Sequence, residues 1–216
     1  MKGPKRITGK AAKTGGKAAK SGGKAAKTGG KIRITSGAYK NRVLFVPEGD
    51  SVRPTSDRVR QALFNRLEHS FTDIGFRLRG ARVIDLCAGT GALGLEALSR
   101  GAAHVTFVEF TPASLAILKR NIATLKVDDK VNVLTMDATA LPQASQPFDL
   151  ALLDPPYEQN LGTPIVASLM AKGWLTEGAV VVVETASSET LTAPEGLALE
   201  DVRSYGRGAL TYLVRS

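Results

Sequence analysis

Val83-Ile-Asp-Leu-Cys-Ala-Gly-Thr-Gly-Ala-Leu-Gly94 decides the fold of this 216-residue chain. Residues 83–86 form an apolar run that reads as a buried strand, and residues 92–98 read as a helix. Between them, Gly89, Gly91 and Gly94 let backbone approach a ligand closely at a helix N-terminus. The alternation then repeats: a strand at 105–110, a helix at 112–125 with Pro112 in its first turn, strands at 131–136 and 148–153, a helix at 165–171 and a strand at 180–184. A last hairpin, 202–205 and 210–214, turns at Gly206-Arg207-Gly208. Repeated strand–helix units predict an α/β, Rossmann-like fold: a mostly parallel seven-stranded sheet, helices on both faces and a C-terminal antiparallel hairpin. Ligands of such sheets bind outside the C-terminal ends of the strands.

Upstream, Ile32-Arg-Ile34, a turn at Ser36-Gly37 and residues 43–46 ending at Pro47 read as a small hairpin. Thr55-Ser56-Asp57 offers N-caps to a helix whose apolar stripe is Val59, Leu63 and Leu67. Three segments follow: a tail at 1–31, a hairpin and helix at 32–80, and the αβ part at 81–216.

The tail holds nine lysines, Arg6 and no acid, whereas the remainder has nineteen basic and twenty acidic residues. The formal charge of +9 therefore belongs to the tail. Gly9-Lys-Ala-Ala-Lys-Thr-Gly15 recurs from Gly16, with Ser21 for Thr, and again from Gly23. No position of this heptad is large and apolar, so there is no coiled-coil seam, and the composition predicts disorder. Such a segment reaches roughly 30 Å. It reads either as a tether for the phosphates of a polyanion or as a solubilising extension.

The lone Cys87 forbids an internal disulfide, and His69 and His104 lack neighbours at metal-ligand spacing, so no metal site is expected. The longest uninterrupted apolar run, 179–183, is too short for a bilayer, and no secretory signal precedes it. The expectation is a cytoplasmic protein without a membrane partner.

Acidic residues recur at strand ends. Asp85 closes the first αβ strand, Glu109 the second, Asp137 the third and Asp154 the fourth. The glycine loop with Glu109, 20 residues after Gly89, matches the dinucleotide fingerprint and by itself favours NAD. Asp85 argues the other way, because it would face a pyrophosphate with an anion. S-adenosylmethionine has no phosphate and carries an ammonium and a sulfonium, which a ring of carboxylates attracts. Glu109 can accept from both ribose hydroxyls, and Asp137-Ala138 is placed for an adenine edge.

Asp154-Pro155-Pro156-Tyr157 ends the apolar strand at 148–153. Two prolines can neither continue a strand nor enter a helix normally, so a stiff turn is predicted. It presents a carboxylate, the carbonyl of Pro155 and an aromatic face to one volume, which suits a planar group bearing an amine, such as a nucleobase.

These stretches, together with Arg53-Pro-Thr-Ser-Asp-Arg-Val-Arg-Gln-Ala-Leu-Phe-Asn65, resemble the bacterial small-subunit (16S) ribosomal RNA guanine-N2 methyltransferase family, over essentially all of residues 32–216. The chain departs from that family in its lysine repeat, at Cys87, where an aromatic is common, and at Thr90, where serine is. The resemblance implies methyl transfer from S-adenosylmethionine to the N2 amine of one guanine in small-subunit rRNA, naked or in an assembling particle, by a monomer. It implies catalysis at Asp154, Pro155, Pro156 and Tyr157. Cofactor contacts would come from Asp85, Ala88, Gly89, Gly91, Glu109, Phe110, Asp137 and Ala138. RNA contacts would come from Arg53, Arg58 and Arg60, with Arg33, Lys40 and Arg42 as a second basic group on the hairpin. The residues alone leave open a methyltransferase for adenine N6 in DNA or for a protein glutamine, and a non-catalytic nucleic-acid-binding protein.

Overall fold

The computed structural model describes residues 1, 3, 28–47 and 56–216. Most of the tail, and Arg53 with Thr55, lie outside the described residues. β1 (Thr28–Arg33) and β2 (Val43–Pro47) pair antiparallel, so the hairpin begins inside the segment the composition assigns to the tail. The register runs from Thr28 opposite Pro47 to Arg33 opposite Val43. α1 (Asp57–His69) starts at an N-cap, Ser56, whose hydroxyl accepts from the Val59 N–H.

The αβ part follows in order as β3 (Arg82–Leu86), α2 (Ala92–Ser99), β4 (His104–Val108), α3 (Pro112–Leu125), β5 (Val131–Leu134), β6 (Phe148–Leu153), α4 (Gly162–Ala171), β7 (Leu175–Ala186), β8 (Leu197–Tyr205) and β9 (Gly208–Arg215). The sheet runs β5-β4-β3-β6-β7-β9-β8, with β9 antiparallel to both its neighbours and the other pairs parallel. Chain order reverses between β3 and β6, which makes their C-terminal ends the switch point where such sheets bind ligands.

Period-two alternation sends successive strand residues to opposite faces. Val83, Val105, Phe107, Leu150, Leu152, Val180 and Val182 meet α1, α2, α3 and the hairpin in one core, which includes Ile34, Leu44, Leu63 and Phe64. Ile84, Leu86, Ala151, Leu153, Val181 and Val183 meet α4 and Trp174 on the other face. At roughly 1.5–3 kcal/mol for each fully buried aliphatic or phenyl side chain, the first core binds hairpin, α1 and sheet into one unit. Among the described residues, no helix is long and apolar enough to cross a membrane.

A polar seam runs through that unit. Glu96 of α2, fully buried, accepts from the Thr35 N–H and hydroxyl, the Ser36 N–H, Arg60 Nε and Arg100 Nε. Arg60 also bonds Asp57 at 2.7 Å and the Arg33 carbonyl. This corrects the expectation that Arg60 reaches RNA backbone: its side chain has 0% exposure and its guanidinium is turned into the protein. Arg58, Arg33, Lys40 and Arg42 are exposed.

Candidate active site

Four strand ends and the glycine loop shape one cavity of about 600 Å³, lined among others by Gly89, Glu109, Phe110, Asp137, Ala138 and Asp154 through Tyr157. The loop is locally determined. Cys87, Gly89 and Gly91 all have positive φ, and a Cβ on Gly91 would lie 2.4 Å from the Leu118 side chain. A larger residue at Gly91 is therefore excluded by backbone conformation and packing together.

Asp85 is 1% exposed and accepts the Gly94 N–H at 2.9 Å. It does not line the cavity, nor do Ala88 and Gly91; these three shape the wall behind it. Burial, and then the charges of Asp154 and Glu109, push the Asp85 carboxyl well above its ordinary range against the opposing pull of the Gly94 N–H. The Cys87 thiol is pushed up to about 12 by burial first and then by the charges of Glu109, Asp85, Asp154 and Asp137. All four strand-end acids thus converge on the surroundings of one half-buried thiol in the cavity wall.

Glu109 follows β4 directly. Its Oε2 accepts the Gly89 N–H at 2.8 Å, and its Oε1 accepts those of Phe110 and Thr111 at 2.9 and 2.7 Å. A carboxylate offers about four acceptor sites. Three are occupied, so Glu109 retains room for one ribose hydroxyl rather than the two expected from sequence. Phe110 is 62% exposed and lies on the cavity rim. Asp137 is held by the N–H and hydroxyl of Thr139, both at 2.8 Å, which lower its carboxyl below the ordinary range.

At the prolines the chain leaves β6. Pro155 is buried, Asp154 half-buried and Tyr157 41% exposed, its hydroxyl donating to Glu184 Oε1 at 2.7 Å. Glu184 escapes the sequence reading although it follows the apolar run 180–183 just as the other acids follow theirs. Asn121 of α3 escapes as well: it is fully buried, accepts the Phe45 N–H, and donates to the carbonyls of Phe45 and of Thr90 in the glycine loop. Next to it, Arg120 lies over the Phe45 ring, 3.5 Å from its centroid. Lys31 pairs with Phe45 across the hairpin, which puts Lys31 and Phe45 on one face.

The donor set fits S-adenosylmethionine better than NAD. Three carboxylates in the cavity wall, Glu109, Asp137 and Asp154, with Asp85 buried behind them, suit a cation and repel a pyrophosphate. A smaller cleft of about 390 Å³, with Arg77, Arg79, Asp149 and Glu177 in its wall, lies toward the N-terminal ends of β3, β6 and β7, away from the switch point.

A family model described as conserved hypothetical protein 95 matches residues 32–214. The chain belongs to this family. Curated relatives carry the name ribosomal RNA small subunit methyltransferase D: that of Haemophilus influenzae is 35% identical over 175 residues (79% of this chain, 87% of the relative), and that of Escherichia coli K12 is 37% identical over 174 residues (80% and 84%). A solved Escherichia coli structure described as a methyltransferase, yhhF, superposes with a TM-score of 0.75 at 36% identity and covers 86% of this chain and 98% of its own. The family match begins at residue 32, so the lysine repeat lies outside what the family model covers.

Proposed function

We propose that this chain transfers the methyl group of S-adenosylmethionine to the exocyclic N2 amine of a guanine in small-subunit rRNA, in the cytoplasm and as a monomer. One observation carries the reading: the Asp-Pro-Pro-Tyr turn opens into the same cavity as Gly89, Glu109, Phe110 and Asp137. A planar amine and a ribose-bearing cation can therefore meet there. The relatives' rRNA methyltransferase names favour RNA over DNA or protein glutamine as the substrate.

When bound, S-adenosylmethionine supplies an electrophilic methyl on a sulfonium. Glu109 would hold a ribose hydroxyl, Asp137 and Ala138 the adenine edge, and Phe110 an adenine face. Asp154 and the Pro155 carbonyl accept from the two amine hydrogens. This draws the nitrogen out of conjugation with the ring and aims its lone pair, an interaction realised mainly in the transition state. The Asp154 carboxylate would take the one proton that the amine nitrogen must lose once it is methylated. Tyr157 stacks on the base and keeps it in line. A base in a single-stranded loop is cheaply splayed into such a site.

Exposed Arg33, Lys40, Arg42 and Arg58 would grip phosphates, as would Arg53 and the lysine repeat. Deleting residues 1–27, which leaves β1 whole, should flatten the salt dependence of RNA binding by about 0.7 for each phosphate that the tail neutralises. An identical slope in both chains would remove the tail from the RNA interface.

The test of the reaction is mass spectrometry of rRNA nucleosides from cells with and without the gene, which should reveal loss of one N2-methylguanosine. An RNA with inosine at the target should bind and accept no methyl group, because it lacks only the amine. Methylation of the inosine RNA, or an unchanged rRNA profile, would overturn the reading.

A further inference from the structure

We propose that Glu184 is a positioning residue: through the Tyr157 hydroxyl it fixes the ring on which the target base stacks. The inference rests on the role given to Tyr157 above and adds a seat behind it.

β7 pairs with β6 up to Val183 opposite Leu153, so Glu184 stands level with Asp154, one residue beyond the last pair. On its other side β7 pairs with β9, Glu184 with Leu210 and Ala186 with Gly208. Glu184 is 8% exposed, and its Oε1 lies 2.7 Å from the phenol oxygen. Gly208 completes the seat by what it lacks: a Cβ there would meet the Tyr157 hydroxyl at 2.8 Å and Glu184 Oε1 at 3.6 Å. The φ of Gly208 is not in the left-handed region that favours glycine, so the requirement at this position is space.

Stacking alone does not need the hydroxyl, since phenylalanine offers the same face. A ring 41% exposed is open to solvent over part of its surface, which leaves room for its side-chain torsions to vary. A hydrogen bond to an acceptor anchored in the centre of a sheet removes that freedom at the far end of the ring. Orientation gained before reaction lowers the barrier without tightening cofactor binding.

The experiment uses the full chain on small-subunit rRNA and compares Tyr157→Phe, Glu184→Ala, Glu184→Gln, Gly208→Ala and the doubles with Tyr157→Phe. Tyr157→Phe, Glu184→Ala and Gly208→Ala should each lower kcat on the order of tenfold, inside the hundredfold that a misplacement of about 1 Å is worth. Affinity for S-adenosylmethionine should not change. Glu184→Gln keeps an acceptor oxygen and should restore most of the rate. In the Tyr157→Phe background, Glu184→Ala and Gly208→Ala should cost nothing more, because the hydroxyl they hold or displace is gone. A merely structural role would lower the unfolding midpoint and leave kcat of the folded enzyme intact. Multiplying effects in the doubles, or a Glu184→Gln enzyme as slow as Glu184→Ala, overturns the seat alone. A wild-type chain that transfers no methyl group to this RNA overturns the functional reading and the seat together.

Discussion

Glu96 on α2 and Glu109 just after β4 are both buried carboxylates, 0% and 6% exposed, and they are satisfied in opposite ways. Glu96 lies between two guanidiniums, Arg60 and Arg100, and takes three further donors from Thr35 and Ser36. Glu109 takes backbone N–H groups only, from Gly89, Phe110 and Thr111. Dipoles satisfy its lone pairs and leave its charge in place. The first arrangement is closed and holds α2 to the hairpin and α1; the second keeps a net negative potential in a cavity wall. Asp85 and Asp137 follow the second pattern, with N–H donors from Gly94 and Thr139. Between these two buried glutamates, the one neutralised by side chains ties elements together, and the one held by backbone N–H groups lies in the cavity wall.

The severest way to break this contrast is Glu96→Ala, which leaves Arg60 and Arg100 buried without their shared carboxylate. It should destabilise the fold by about 3–5 kcal/mol, read by chemical denaturation. A loss near zero would mean that the buried cations do not depend on it, and Glu96→Gln provides a milder variant if the alanine chain does not fold. Asp154→Ala should do the reverse: an unchanged unfolding midpoint with turnover reduced by about 2.7–4 kcal/mol of barrier. Near-normal turnover would move the chemistry away from the proline turn. Glu109→Ala should weaken S-adenosylmethionine binding by about 1.5–3 kcal/mol in calorimetry, and tight NAD binding by the native chain would reverse the cofactor assignment.

The smallest effect sharpens the contrast through pH. Burial is the main cause of the raised Asp85 carboxyl, so the folded state binds a proton that the unfolded chain has already released. Stability therefore falls as pH rises from the ordinary aspartate range through the raised value. Asp85→Asn keeps an oxygen for the Gly94 N–H and removes the buried charge. At neutral pH it should stabilise the free protein by about 0.5–2 kcal/mol while weakening cofactor binding, and the gain should vanish below about pH 4. Denaturant midpoints across pH check it, and a less stable variant at pH 7 would show that the charge is compensated after all.

Local chemistry makes much of this legible in the sequence. α3 begins at Pro112 and stops where Lys126 turns left-handed, and β6 stops at two prolines, so the residues themselves mark both boundaries. β7 reads as five residues and spans Leu175–Ala186, because Thr176, Glu177 and Gly178 interrupt its apolar pattern while β6 still pairs with Leu175. Arg60 is misplaced by sequence alone since a lone charge beside an apolar stripe looks solvated, and its partner Glu96 is distant in sequence. Glu184 is within reach of the strand-end rule that picks out the other acids. Asn121 is not, because nothing around it in sequence indicates that its amide has backbone to serve on both a hairpin strand and the glycine loop.

That amide has a consequence for how the protein is put together. Asn121 uses one oxygen and both hydrogens of its NH₂ group at once, and neither aspartate, which lacks the donors, nor leucine, which lacks both functions, can stand in for it. Phe45 and Thr90 are thereby tied to the same planar group. The side chain that holds the glycine-loop carbonyl is itself oriented by its two bonds to the Phe45 backbone, so a change that loosens the small N-terminal hairpin also loosens the grip on the Thr90 carbonyl.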